Sequence, residues 1–215
     1  MATVTAPSCT TTARVGTSSY SQGIIIHAIW GSAPDDIFAL GNDGGWHFDG
    51  ATWTRTGQGV FEGDRIQAMW GFRSDDVWAC GGSLYHYDGH NWTKLGQAPV
   101  FCLSLIGFGR NDIYMAGPGT GPSGTINSIA HYDGGSWTVV HEGKNPSVGG
   151  YYDGRIWGSG PNDVHAIFSS EYVRFDGNSW QPQQLPPMGP MIFKGDSRGR
   201  IYGNGEVAGF VIGHQ

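Results

Sequence analysis

Residues Ile66–Gly96 read IQAMWGFRSDDVWACGGSLYHYDGHNWTKLG, and this stretch decides the fold. It breaks into four short runs, IQAMWG, VWACG, SLYHY and WTKLG, separated by turn residues. Aromatic and β-branched side chains fill the runs, as strands require. Asp88-Gly89 stands between the third and fourth runs, where glycine accepts the positive φ that a tight hairpin needs. The same wording recurs as IIHAIWGSAPDDIFALGNDGGWHFDGATWTRTG from Ile25, LSLIGFGRNDIYMAGPGTGPSGTINSIAHYDGGSWTVV from Leu103 and RIWGSGPNDVHAIFSSEYVRFDGNSWQPQ from Arg155. A fifth segment, IFKGDSRGRIYGNGEVAGFVIGHQ from Ile192, holds only the first part.

The acid before the second run falls at Asp36, Asp76, Asp112 and Asp163, with Arg200 in its place in the last unit, at intervals of 40, 36, 51 and 37 residues. A period near 40 residues is that of a four-stranded propeller blade. The expectation is therefore an all-β, five-bladed β-propeller with four-stranded antiparallel blades, forming one domain over residues 1–215. The blades are read at 24–57, 64–97, 101–141, 153–182 and 190–215. The last unit lacks an Asp-Gly-x-x-Trp segment, and 13–21 (ARVGTSSYS) belongs to no other unit. Those residues are expected to supply the outer strand of the last blade, closing the ring and removing its open edges.

Composition agrees. Glycine makes up 37 of 215 residues, well above the usual 7% or so, and charged residues are only 14%. Glycine costs about 1 kcal/mol per interior helical position, so a helical bundle is excluded. Aromatics at 13% exclude disorder. The net charge of −6, without a basic stripe, argues against a nucleic-acid partner. No run approaches 18 apolar residues, so no membrane insertion is expected. The first residues show neither the basic nor the apolar region of a signal peptide. Cys80 and Cys102 fall in neighbouring units; they are read as buried thiols, with their bonding left open.

The pattern WG…DVWACG…HYDGxxW resembles bacterial propeller repeats of surface and secreted proteins. Ser83–Trp92, SLYHYDGHNW, is similar to the blades of propeller lectins, and five blades would match the size of the tachylectin-type lectins. The resemblance implies a propeller fold, an extracellular or cell-surface location and glycan binding. Its motifs specify the blade and leave the ligand open.

His47, His86 and His131 share one blade position, which Arg174 takes in the fourth unit. Third strands of different blades cannot bring ligands to within about 2 Å of one metal, so each His is expected to bond inside its own blade, and no metal or cofactor is expected. The repeated aspartates are read as acceptors of backbone N–H groups in turns. The repeated tryptophans are assigned to packing between blades. A hydrolase would need converging acids in an axial pocket, and the first strands hold almost none. The GPGTGPSGT run (117–125) is read as a flexible loop.

The repeated turns fall on one face of the ring and the unique loops on the other, where function usually resides. That loop face offers Trp46, Phe61, Glu62, Asp64, Lys144, Tyr151, Tyr152 and Asp153, aromatic planes beside carboxylates. Tyr151-Tyr152-Asp153 is the leading candidate. The function expected is a non-enzymatic binding module, lectin-like, with a glycan or protein partner. A protein-interaction scaffold is the second reading and a small glycoside-active hydrolase the third.

Overall fold

A computed structural model describes residues 25–42, 44–122, 124–145 and 154–184, and the backbone of 192–195, 201–204 and 209–212. Each of the first four units forms a four-stranded antiparallel sheet in sequence order. Blade 1 holds β1 (Ile26–Ala33), β2 (Asp36–Gly41), β3 (Gly44–Phe48) and β4 (Trp53–Thr56). Blade 2 holds β5 (Ala68–Arg73), β6 (Asp76–Cys80), β7 (Ser83–Tyr87) and β8 (Trp92–Gln97). Blade 3 is β9 (Ser104–Gly109), β10 (Asp112–Gly121), β11 (Gly124–Tyr132) and β12 (Trp137–Glu142). Blade 4 is β13 (Arg155–Gly160), β14 (Asp163–Phe168), β15 (Glu171–Phe175) and β16 (Trp180–Gln183). The last unit forms a three-stranded sheet of β17 (Ile192–Gly195), β18 (Ile201–Asn204) and β19 (Gly209–Ile212). First strands lie side by side, β1 by β5, β5 by β9, β9 by β13 and β13 by β17, which is the order of a propeller.

The expectation of five four-stranded blades closed into a ring is corrected. Four blades are complete, and the last sheet has three strands without a fourth partner among the described residues. The segment assigned to that fourth strand, 13–21, lies outside the described residues. The physical reason is in the repeat itself: the fifth unit lacks the Asp-Gly-x-x-Trp hairpin that directs a fourth strand back along the third.

The turns form as their residues dictate. In each complete blade the hairpin aspartate accepts two backbone N–H bonds on Oδ1. Asp49 takes Ala51 and Thr52, Asp88 takes His90 and Asn91, Asp133 takes Gly135 and Ser136, and Asp176 takes Asn178 and Ser179, all at 2.7–3.0 Å. These amides hold the four carboxyls below the usual carboxylate range. The glycine that follows each sits at φ of 91–94°.

The Trp-Gly motif has a junction role. A Cβ on Gly71 would meet the Trp30 ring at 2.4 Å, one on Gly107 the Phe72 ring at 2.4 Å, and one on Gly158 the Phe108 ring at 2.5 Å. Each glycine leaves a slot that an aromatic ring of the preceding blade fills. The core is thus distributed over the junctions. Ala28, Phe38 and Leu40 of blade 1 pack on Met69, Val77, Ala79, Tyr85 and Trp92 of blade 2. Trp78, Cys80 and Leu84 then pack on Leu105, Ile113 and Met115, and Tyr114, Ala116 and Ile129 on Ile156, Val164 and Ala166.

The repeated histidines bond within their blades, as read. His47, His86 and His131 place Nε2 at 2.6, 2.8 and 2.7 Å from Oδ1 of Asp36, Asp76 and Asp112. Arg174 Nε donates to Asp163 Oδ1 at 2.8 Å in the fourth blade. Each of these aspartates thus has a side-chain partner within its own blade, where turn amides were the expected donors. Two of these imidazoles also stack, on Phe38 at 4.1 Å and on Tyr114 at 4.3 Å between ring centroids. Among the described residues no group of His, Cys, Asp and Glu is arranged to hold a metal ion. No helix among them is long and apolar enough to cross a membrane.

Cys80 and Cys102 are joined by a disulfide with both residues fully buried, which corrects the reading of two thiols. The bridge ties β6 to the segment that leads into β9. At the preceding junction Leu40 and Ile66 stand in the same two positions, both fully buried in one core cluster. One junction thus uses a covalent bond where its neighbour uses an apolar contact.

Candidate functional site

Repeated turns do share one face: a Cβ on Gly50, Gly89, Gly134 or Gly177 would press on Asp35, Asp75, Asn111 or Asn162 of the neighbouring turn. The opposite face is built from the connections between blades and the hairpins joining second to third strands. These loops carry the candidate residues Phe61, Glu62 and Asp64.

The first connection, Gly57–Arg65, folds on glycines with φ of 68–75° at positions 57, 59 and 63. Phe61 N and Val60 N both donate to Gly57 O at 3.2 Å, and the coil turns Phe61 inward. Phe61 is fully buried, edge-on to Tyr85 at 4.8 Å and near Trp92 at 5.1 Å. Its expected role as a ligand platform is corrected to packing, because the ring has no exposed face to offer.

Asp64 is occupied as well. Its Oδ1 accepts from Arg65 N at 2.7 Å and Gly82 N at 3.1 Å, and its Oδ2 accepts from the Tyr85 hydroxyl at 3.0 Å. Burial pushes this carboxyl up, but the two amides with Ser83 and Tyr85 outweigh it and hold it below the usual range. Burial in turn pushes the Tyr85 phenol up to about 12, with the Asp64 charge acting in the same direction. Asp64 clasps the connection to the second-to-third-strand turn of blade 2.

Glu62 is exposed and, with Arg55, Gln58 and Gly59, lines a polar cavity of about 660 Å³. Trp46 is half-buried on β3, and the Arg55 guanidinium lies over its ring at 5.3 Å from the centroid. The structure therefore brings Trp46 and Glu62 to the neighbourhood of one cavity, through Arg55. Tyr151, Tyr152 and Asp153 lie outside the described residues.

Two features of this face were missed in the sequence. The run read as a flexible loop is an extension of the β10–β11 hairpin, paired from Gly117↔Ser128 to Gly121↔Gly124. The alternation in TINSIAHY (125–132) was the available signal; the density of glycine hid it. Between this hairpin and the blade 2–3 connection lies a groove of about 490 Å³ lined by Pro99, Val100, Phe101, Pro118 and Thr120. Phe101 is 42% exposed there. Its backbone is fixed, since Phe101 N donates to Pro118 O at 2.9 Å and Cys102 N to Gly81 O at 2.9 Å. The disulfide one residue on anchors the same segment.

The second missed feature is a clasp at the blade 3–4 junction. Glu171 Oε1 accepts from Asn127 Nδ2 at 3.0 Å and Lys144 N at 3.1 Å, and Oε2 lies at ion-pair distance, 3.5 Å, from His141 Nε2. Burial raises the Glu171 pKa, but His141, Asn127 and the Lys144 amide outweigh it and hold the group below its ordinary value. A carboxyl lowered on folding stabilises the protein above its unfolded pKa, and that stabilisation is lost as pH falls through the folded value. Glu171→Gln should therefore flatten the stability–pH profile below about pH 4–5 relative to the parent chain. Urea unfolding from pH 3 to 7 checks this; parallel profiles for the two proteins would refute it.

The fold and this loop face define a β-propeller. No family model matches the chain, and no curated relative matches it. Solved structures do. The chain is similar to YCF48 bound to D1 peptide, with 15% identity, a TM-score of 0.60, and 86% of this chain and 63% of that one covered. It is similar to YCF48 from Cyanidioschyzon merolae at 17% identity and a TM-score of 0.54, covering 84% and 64%. A third is the extracellular domain of what is described as a hybrid two-component system from B. thetaiotaomicron, at 10% identity and a TM-score of 0.61, covering 86% and 27%. The chain spans less than two thirds of the length of each of these three structures. At such identities the likeness concerns the fold.

Proposed function

We propose that this chain is a non-enzymatic binding module that takes an extended, apolar segment of a protein partner on its loop face. The observation that carries the reading is the groove beside Phe101, an exposed aromatic side chain on backbone pinned by hydrogen bonds and a disulfide. Rigid presentation lowers the ordering cost of binding, and an aromatic anchor is the side chain on which interfaces most often depend. Solved structures of the same fold include one with a bound peptide, which supports a protein partner. An extracellular or cell-surface setting fits the buried disulfide, since such bonds persist in oxidising compartments.

A peptide display library panned against the chain tests this. Phe101→Asp should weaken the selected peptides at least tenfold, about 1.4 kcal/mol. Unchanged capture would rule the groove out. A glycan is the second reading, favoured by the polar cavity at Arg55, Gln58 and Glu62 beside Trp46, and by Tyr151, Tyr152 and Asp153 in the sequence. The same protein applied at high concentration to a broad glycan array separates the two, because silence across the array ends the carbohydrate claim.

A further inference from the structure

The backbone beside Phe101 leaves one donor and one acceptor unused. The segment 101–103 pairs antiparallel with β10: Phe101 N donates to Pro118 O at 2.9 Å and Leu103 N to Ala116 O at 3.0 Å. Backbone groups at alternate positions of a strand point to the same side of it. Ala116 and Pro118 thus turn theirs away from β11, and the next position of that kind is Thr120. β10 keeps unbroken register with β11 from Ile113 to Gly121, so the Thr120 N–H and C=O face the groove.

The pairs 103/116 and 101/118 step on to 99/120, which sets Pro99 opposite Thr120. Proline has no N–H to give, and Thr120 N makes no bond to Pro99 O. The ladder stops one pair short, with Pro99 on one wall of the groove and Thr120 on the other. Thr120 is exposed, and among the described residues its groove-side N–H and C=O have no other partner. The free edge is also bounded. Pro118 and Pro122, two residues to either side, carry no N–H. Proline on an edge keeps it from templating a long strand, so one residue with both groups intact remains between them.

We propose that the partner's segment completes this ladder, lying as a short strand on the edge of β10 and exchanging both backbone bonds of one residue with Thr120. The proposal rests on the Phe101 groove being the binding site and adds what that site selects. The residue paired with Thr120 keeps its N–H and is therefore not proline. Paired residues project to the same face of a sheet, so its side chain falls on the face that Phe101 and Pro118 share, and it is apolar.

Hydrogen exchange and a backbone scan test this, with a synthetic peptide selected by display on the parent chain as the probe. The Thr120 amide should exchange freely in the chain alone and at least tenfold more slowly with the peptide bound. N-methylation of the peptide at the position paired with Thr120 should weaken binding at least tenfold. Thr120→Pro should do the same, since it removes a groove-facing N–H and leaves the β10–β11 bonds in place. Thr120→Val keeps the backbone and the β-branch and should bind like the parent. If Thr120→Pro fails to fold, the peptide scan and the Thr120 exchange rate decide. A peptide that is lost with Phe101→Asp, yet tolerates N-methylation at every position, overturns strand addition and leaves the groove as the binding site. A peptide unaffected by Phe101→Asp, or a library that yields none, overturns both. A Thr120 amide already protected without peptide also overturns the proposal: the chain itself covers the edge if protection is independent of concentration, a second copy if it grows with it.

Discussion

Phe61→Ala should destabilise the protein by about 3–5 kcal/mol, the cost of deleting a large buried aromatic from a close-packed core. The ring is fully buried between Tyr85 and Trp92 and closes the blade 1–2 junction from the loop side. Its backbone is held by the Gly57 turn, and a Cβ at Gly57 would meet the ring at 2.1 Å, so the connection has little freedom to collapse into the cavity. Thermal unfolding should fall by on the order of 10 °C, given roughly 2–4 °C per kcal/mol for a domain of this size. A midpoint within error of the parent would mean that the ring is not a core element.

Removing the Cys80–Cys102 bridge should cost about 3 kcal/mol, because the bond closes a loop of 22 residues and restricts the unfolded chain accordingly. The Cys80→Ala/Cys102→Ala double variant should unfold at lower denaturant, and a strong reductant applied to the parent chain should act in the same direction. Cys80→Leu/Cys102→Ile should recover part of the loss, since Leu40 and Ile66 fill the same positions one junction earlier. Recovery would separate the contribution of packing from that of the cross-link. An unchanged unfolding midpoint in the double alanine variant would show that the bridge carries no stability.

The candidate site was legible only in part. Glu62 lines a cavity with Arg55, whose guanidinium lies over Trp46, but Arg55 comes from a strand that carries no motif to single it out. Phe61 and Asp64 sit in a loop unlike the others, which is what marks them in the sequence. A loop that differs from its equivalents can do so in order to plug a junction, and this one does. Phe101, a lone aromatic in a connection, carries no pattern in the sequence; its exposure depends on how the β10–β11 hairpin folds beside it.

What the repeat determined by itself was local: four strands per complete unit, the Asp-Gly turns, the bonding of each repeated His inside its own blade, and the rise of each first strand beside the next. Those features depend on turn chemistry and on side chains within a few ångströms along one sheet, and a residue pattern encodes them directly. The tertiary structure decided how many blades are complete among the described residues, which cysteines meet and which loop residues turn inward. Each of those outcomes sums contacts between segments from tens of residues to most of the chain apart, across surfaces that the sequence of either blade describes only from one side. The glycine and tryptophan that fill this chain thus announced the blades, but only the packing of one blade on the next showed which rings fill each junction.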